Sequence, residues 1–263
     1  MSSAPDPMPR GLDLFSLKDQ VWVVTGASSG IGLAIAEGLA AAGAIVGLNS
    51  RSRATLEARA KGIPGSFVVP FDVSDLAAGE AALDGVVASH GRLDGLICNA
   101  GARDRRPVEK VESKDFRELL EINLVAPYHL ARIAVRHMLT RGRGRLIFVT
   151  SLADRFAMSG DIAYPATKAG LAGLVRSLGV ELGARGINVN GIAPGTVRSE
   201  MNRAIADSPQ WKGIVERSVP LKRWAEPAEL AGAAIFLASA ASSYVNGQVI
   251  YVDGGTSILL FSA

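Results

Sequence analysis

Tyr164 and Lys168 stand four residues apart in Tyr164-Pro165-Ala166-Thr167-Lys168. On a helix that spacing puts a phenol and an ammonium one turn apart on a single face. Pro165 fits the first turn of such a helix, where its missing N–H removes no hydrogen bond. A free phenol titrates near pH ~10 and a neighbouring ammonium favours its phenolate, so the pair suits general acid–base work. Ser151, at the end of the preceding apolar run, offers a hydroxyl to a substrate oxygen beside the phenol. The same pair also suits a surface tyrosine packed along a lysine stem. The elements that position these residues decide between the two.

The first such element is the stretch 21–32, an apolar run ending in Thr25-Gly26-Ala27-Ser28-Ser29-Gly30-Ile31-Gly32 and opening into an Ala/Leu-rich helix over 33–40. Glycines there let the backbone turn tightly and approach a bound group with no Cβ in the way. A strand, glycine turn and helix in that order present unpaired N–H groups and a positive dipole end, which suit a pyrophosphate. The spacing G-x-x-x-G-x-G differs from the common dinucleotide fingerprint G-x-G-x-x-G.

Beyond it, short apolar runs alternate with amphipathic stretches. Strands are expected at 44–48, 66–71, 93–98, 145–149, 187–192 and 248–252, and helices at 54–60, 76–90, 113–140, 162–182 and 227–237. Strict alternation implies an α/β fold, a doubly wound parallel sheet with helices on both faces. Residues 1–16, with Pro5, Pro7 and Pro9, are expected as a flexible arm, and 17–263 as one domain. Residues 196–218 break the alternation and read as a cover over a pocket.

The bulk composition excludes several classes. At 263 residues, with 48% hydrophobic and 20% charged, the chain is a well-packed globule. Lys and Arg number 28 against 25 Asp and Glu, too small an imbalance to point to nucleic acid. One cysteine, Cys98, permits no internal disulfide, and three scattered histidines give no metal-ligand spacing. No apolar run approaches the ~20 residues of a membrane span, and the start lacks a signal core, so a reducing cytoplasmic setting is expected.

In a doubly wound sheet ligands bind outside the carboxyl ends of the strands. Six such ends carry small or polar residues: 25–32, Asn49-Ser50-Arg51, Asp72, Asn99-Ala100-Gly101, Thr150-Ser151 and Pro194-Gly195-Thr196. In order along the chain, TGASSGIG (25–32), CNAG (98–101), Asn123, Ser151, YPATK (164–168) and PG (194–195) resemble the motifs of the short-chain dehydrogenase/reductase family, over about residues 14 to 257. The thirteen-residue step from Ser151 to Tyr164 is also the family's usual one.

The resemblance implies a Rossmann-type sheet and an NAD(P)(H)-dependent enzyme interconverting an alcohol and a ketone. Position by position, it makes Tyr164 the general acid/base and Ser151 the group that polarises the carbonyl. Lys168 would hold the nicotinamide ribose and lower the tyrosine pKa, and Asn123 would anchor a water in a proton relay. Cofactor contacts are implied at Gly26, Ser28, Ser29, Gly30, Ile31, Gly32, Ser50, Arg51, Arg53, Asp72, Val73, Asn99, Ala100, Gly101, Tyr164, Lys168, Pro194, Gly195, Thr196 and Val197. Cys98 departs from the family's usual second Asn. No acid stands at 49–53 to accept ribose hydroxyls, and Arg51 and Arg53 suit a 2′-phosphate, which favours NADP(H) over NAD(H).

Among family members the gluconate 5-dehydrogenase group is most similar, in the LNSR strand end, the basic loop 103–107 and the ending 220–255. The implied substrate is a sugar acid or polyol whose carboxylate meets Arg105, beside Ser151 and Tyr164. 3-Oxoacyl-carrier-protein reductases share the ending and are the alternative; a binding module without catalysis is opposed by the intact Asn123, Ser151, Tyr164 and Lys168. The family also implies a homotetramer built on the long helices and the C-terminal strand, with which the apolar ending 258–261 is consistent.

Overall fold

The computed structural model describes residues 9–259. Seven parallel strands form one sheet: β1 (Val21–Val24), β2 (Ile45–Leu48), β3 (Ser66–Val68), β4 (Gly95–Cys98), β5 (Gly144–Val149), β6 (Ile187–Pro194) and β7 (Val249–Val252), in the spatial order β3-β2-β1-β4-β5-β6-β7. The expected doubly wound sheet is therefore present, and β3 is shorter than the run 66–71 suggested. The strand order reverses at β1, so β1 and β4 lie side by side with a crevice beyond their carboxyl ends.

Helices cover both faces, as the near-continuous apolar runs of the strands require. On one side α1 (Gly30–Ala41) and α9 (Ala231–Ala238) pack through Ile35, Leu39, Ala234 and Leu237 against Val24, Val46 and Ile97. On the other, α3 (Leu76–His90), α5 (Ala126–Leu139) and α6 (Ala163–Gly183) pack Leu83, Leu130, Ile133, Leu171 and Val175 against Val23, Leu96 and Phe148. Trp22 is fully buried within the first of these layers. Its indole fills the space beside Gly95, where a Cβ would lie 2.1 Å from the ring.

Local chemistry sets the helix ends. Ser52 caps α2 (Arg53–Ala60) and Asp75 caps α3 by accepting from the backbone N–H three residues on. The chain leaves α3 through Gly91 in the left-handed region, φ 71°.

One expectation is corrected. The helix expected over 113–140 is α4 (Ser113–Leu120), a π turn (Glu121–Val125) and α5. Pro127 explains the break, because it has no N–H to offer the carbonyl of Asn123 four residues earlier. Of the expected arm, residues 1–8 lie outside the description, and Gly11–Phe15 forms a 3-10 turn followed by a fully buried Leu17. Residues 196–218 hold a 3-10 turn (Glu200–Asn202), α7 (Arg203–Ala206) and α8 (Pro209–Ser218), whose Ala206 and Val215 form a small apolar cluster with Val219 and Trp224 just beyond.

Candidate active site

The crevice is closed at its base by side chains that tie the loop after β1 to the loop after β4. Thr25 is buried, and its Oγ1 accepts from the N–H groups of Asn99 (2.9 Å) and Ala100 (3.0 Å). Asn99 Nδ2 donates in return to the carbonyl of Thr25 at 2.9 Å. Gly26 turns the chain at φ 67° where a Cβ would lie 2.9 Å from that amide, and a Cβ on Gly32 would lie 2.3 Å from the carbonyl of Gly26. These are the two glycines the turn needs most. Ser29 precedes α1 in an extended conformation and makes no side-chain cap, so the first-turn N–H groups have no side-chain partner there.

A cavity of about 580 Å³ runs from this loop across the strand ends. Of the residues singled out in the sequence it is lined by Gly26, Ser28 to Gly32, Ser50, Arg51, Asp72, Val73, Asn99 to Gly101, Ser151, Tyr164, Lys168, Pro194, Gly195 and Val197. Four lie off its wall. Arg53 points to Glu57, at 3.6 Å, and the Thr196 carbonyl accepts from Ala225 N–H. Asn123 is fully buried beneath the loop after β4, its amide exchanging hydrogen bonds of 2.8 Å with both backbone groups of Ala102. Arg105 donates to Asn202 Oδ1 at 2.7 Å, fastening the loop after β4 to residues 201–202.

At the other end of the cavity α6 delivers Tyr164 and Lys168 on its buried face. Lys168 Nζ donates to the carbonyl of Val149 at 2.8 Å and lies 5.6 Å from the centre of the Tyr164 ring. Burial drives its pKa down to about 8. The Tyr164 phenol is held above its ordinary value because burial disfavours the phenolate, while Ser151, Arg103 and Arg105 pull the other way. The resemblance assigned that pull to Lys168. Here the Ser151 hydroxyl and the guanidinium groups of Arg103 and Arg105 favour the phenolate, and the Lys168 ammonium stands 5.6 Å from the ring centre. Cys98, in place of the family's Asn, is buried with its thiol pushed up to about 12.

Several lining residues have no cofactor or substrate role assigned from the sequence. Asn49 is buried at the end of β2 and donates to the carbonyls of Val69 and Phe71. Ser199 to Asn202 also line the cavity, with Ser199 Cβ 3.5 Å from where a Cβ on Gly30 would lie. Arg103 lies with its Cζ 4.7 Å above the Tyr164 ring and pairs with Asp161. No local spacing marks that pair, because its members are 58 residues apart and meet only when the loop after β4 reaches the start of α6. Among the described residues no cluster of His, Cys, Asp and Glu is placed to hold a metal ion, and no helix is long and apolar enough to cross a membrane.

A doubly wound sheet with a glycine loop at its switch point, and a Ser, Tyr and Lys gathered at the same crevice, defines an oxidoreductase of the dinucleotide-binding class. The comparisons with known proteins give the family. The family model described as enoyl-(acyl carrier protein) reductase matches residues 26–257. The gluconate 5-dehydrogenase of Gluconobacter oxydans is 40% identical over 256 residues, 94% of this chain and 98% of the relative. A 3-oxoacyl-[acyl-carrier-protein] reductase of Rickettsia bellii is 35% identical, covering 92% and 98%. A crystal structure of a gluconate 5-dehydrogenase from Burkholderia cenocepacia in complex with NADP and tartrate superposes with a TM-score of 0.90 at 37% identity, covering 95% of this chain and 99% of that one. The chain belongs to the short-chain dehydrogenase/reductase family and is an oxidoreductase.

Proposed function

We propose that the protein is an NADP(H)-dependent enzyme interconverting a secondary alcohol and a ketone on a sugar acid or polyol of the gluconate/5-ketogluconate kind. One observation carries the reading: Ser151, Tyr164 and Lys168 stand at one end of a cavity whose other end is the glycine loop and Arg51. The residues fit a dinucleotide. Asn49 Oδ1 and Ser50 Oγ are buried at the β2 end without a partner, as acceptors awaiting a ligand would be. Residues 28–32 offer N–H groups at the start of α1 for a diphosphate. Arg51 lines the cavity at the β2 end with a guanidinium that suits a 2′-phosphate, and Arg59 donates to the carbonyl of Ser28. Asp72, held ionised by Ser74 and Arg51, and Val73 suit the adenine.

The cofactor supplies the hydride; the protein supplies position and the proton. In ketone reduction Ser151 and Tyr164 donate to the substrate oxygen, and these bonds strengthen as alkoxide charge develops. Tyr164 then gives up its proton. The raised pKa of its phenol keeps that proton in place at neutral pH until the alkoxide forms. Lys168 orients the ribose beside the phenol. Pro127 has no N–H to offer the carbonyl of Asn123 four residues earlier, which suits that carbonyl to hold the water through which the proton is replaced. Arg105 can turn from Asn202 to a substrate carboxylate, so substrate entry and the seating of residues 196–218 as a cover are linked.

Exposed apolar residues Val125, Tyr128 and Val180 along the π turn, α5 and α6 support association through these helices, and a homotetramer is the assembly proposed. Of the ending that was expected to contribute, residues 260–261 lie outside the description. A cytoplasmic location accords with a lone, buried cysteine.

The test is a panel of 5-keto-D-gluconate, other keto sugars and an acetoacetyl thioester, each with NADPH and with NADH. The reading predicts the highest kcat/KM for a keto sugar or keto sugar acid with NADPH. A thioester preference would move the assignment to acyl-chain reduction, and no turnover with any of them would overturn it.

A further inference from the structure

Arg103 differs from every other arginine near the cavity in how it is held. Its Nε donates to Asp161 Oδ2 at 2.7 Å, and its Nη2 donates to the same oxygen. Asp161 is buried, with its side chain 3% exposed, and its Oδ1 has no partner. Moving the guanidinium away would strand a buried carboxylate, which costs far more than breaking a surface pair. The arginine is thus fixed, and it is fixed over the face of Tyr164 at 4.7 Å. It lines the cavity, and among the described residues its Nη1 makes no hydrogen bond. Arg105, by contrast, is held by a neutral amide that it can exchange for another acceptor.

A rigid guanidinium with one free donor nitrogen beside the acid reads what stands next to the reacting carbonyl. We propose that Arg103 is a specificity-determining residue. Held over the Tyr164 ring by Asp161, it donates from Nη1 to an oxygen on the carbon adjacent to the reacting carbonyl. The site then favours α-hydroxy ketones over plain ketones. The inference rests on Tyr164 being the acid. It assigns Asp161 as the positioning residue that keeps the fork from swinging.

Binding tests this without turnover, so a failed substrate panel and a failed inference remain distinguishable. Tartrate and succinate share a four-carbon dicarboxylate frame, and only tartrate carries hydroxyls beside its carboxylates. Calorimetric titration of the protein saturated with NADP+ is expected to show tartrate binding at least about tenfold more tightly than succinate. Arg103→Met is expected to reduce that preference to about threefold or less; loss of the cation weakens both acids, so the ratio is the readout, and NADP+ affinity within about twofold of wild type certifies the fold. Arg103→Lys keeps the charge without the fork, and the same collapse is expected there. A preference retained in both variants, or a wild-type protein that binds the two acids equally or binds neither, would overturn the proposal.

Discussion

The two ends of the cavity are built by different means. The glycine-loop end presents backbone to the cavity, held by short contacts between loops that leave neighbouring strands β1 and β4: the Thr25 and Asn99 side chains, Gly26 with Ala100, Gly32 against Gly26. The other end is made of side chains brought from afar, Arg103 to Asp161 and Arg105 to Asn202. A backbone cradle recognises what all dinucleotides share. Long charged side chains on loops recognise what distinguishes one substrate from another, and they can change without disturbing the sheet.

If that division holds, damage at the first end should abolish cofactor binding, and damage at the second should spare it. The largest effect is expected at Gly32. A Cβ there would meet the backbone oxygen of Gly26 at 2.3 Å and the Asn99 amide at 2.4 Å, neither of which is the free end of a flexible chain. Gly32→Ala should weaken NADPH binding by about 10²-fold, read by fluorescence titration. Unaltered affinity would mean that the loop is not the diphosphate cradle. A smaller effect confined to the other end is expected for Arg105→Ala. This variant should raise the KM for a keto sugar acid about tenfold and leave NADPH affinity within about twofold. An equal loss in both would show that the two ends are one unit.

The same division explains what could be read from the sequence. The glycine loop, the strand ends and the i, i+4 pair Tyr164 and Lys168 are local patterns, and local patterns survive translation into structure. The π turn was hidden because a helical period runs through 113–140 without interruption. Only Pro127, four residues after Asn123, records that one carbonyl lost its partner. The Arg103–Asp161 pair had no signal at all, since a loop arginine and a loop aspartate are ordinary until tertiary structure puts them together. Arg105 was chosen for a carboxylate because it stands in a basic loop, and its placement against Asn202 shows that a resting partner is as informative as the charge.

All of this depends on the buried phenol of Tyr164 delivering the proton. The most direct measurement is the turnover of Tyr164→Phe beside its affinity for NADPH. The account predicts that kcat falls by at least about 10²-fold while NADPH binding stays within about twofold of wild type. Near-normal turnover in a variant that still binds cofactor would contradict it.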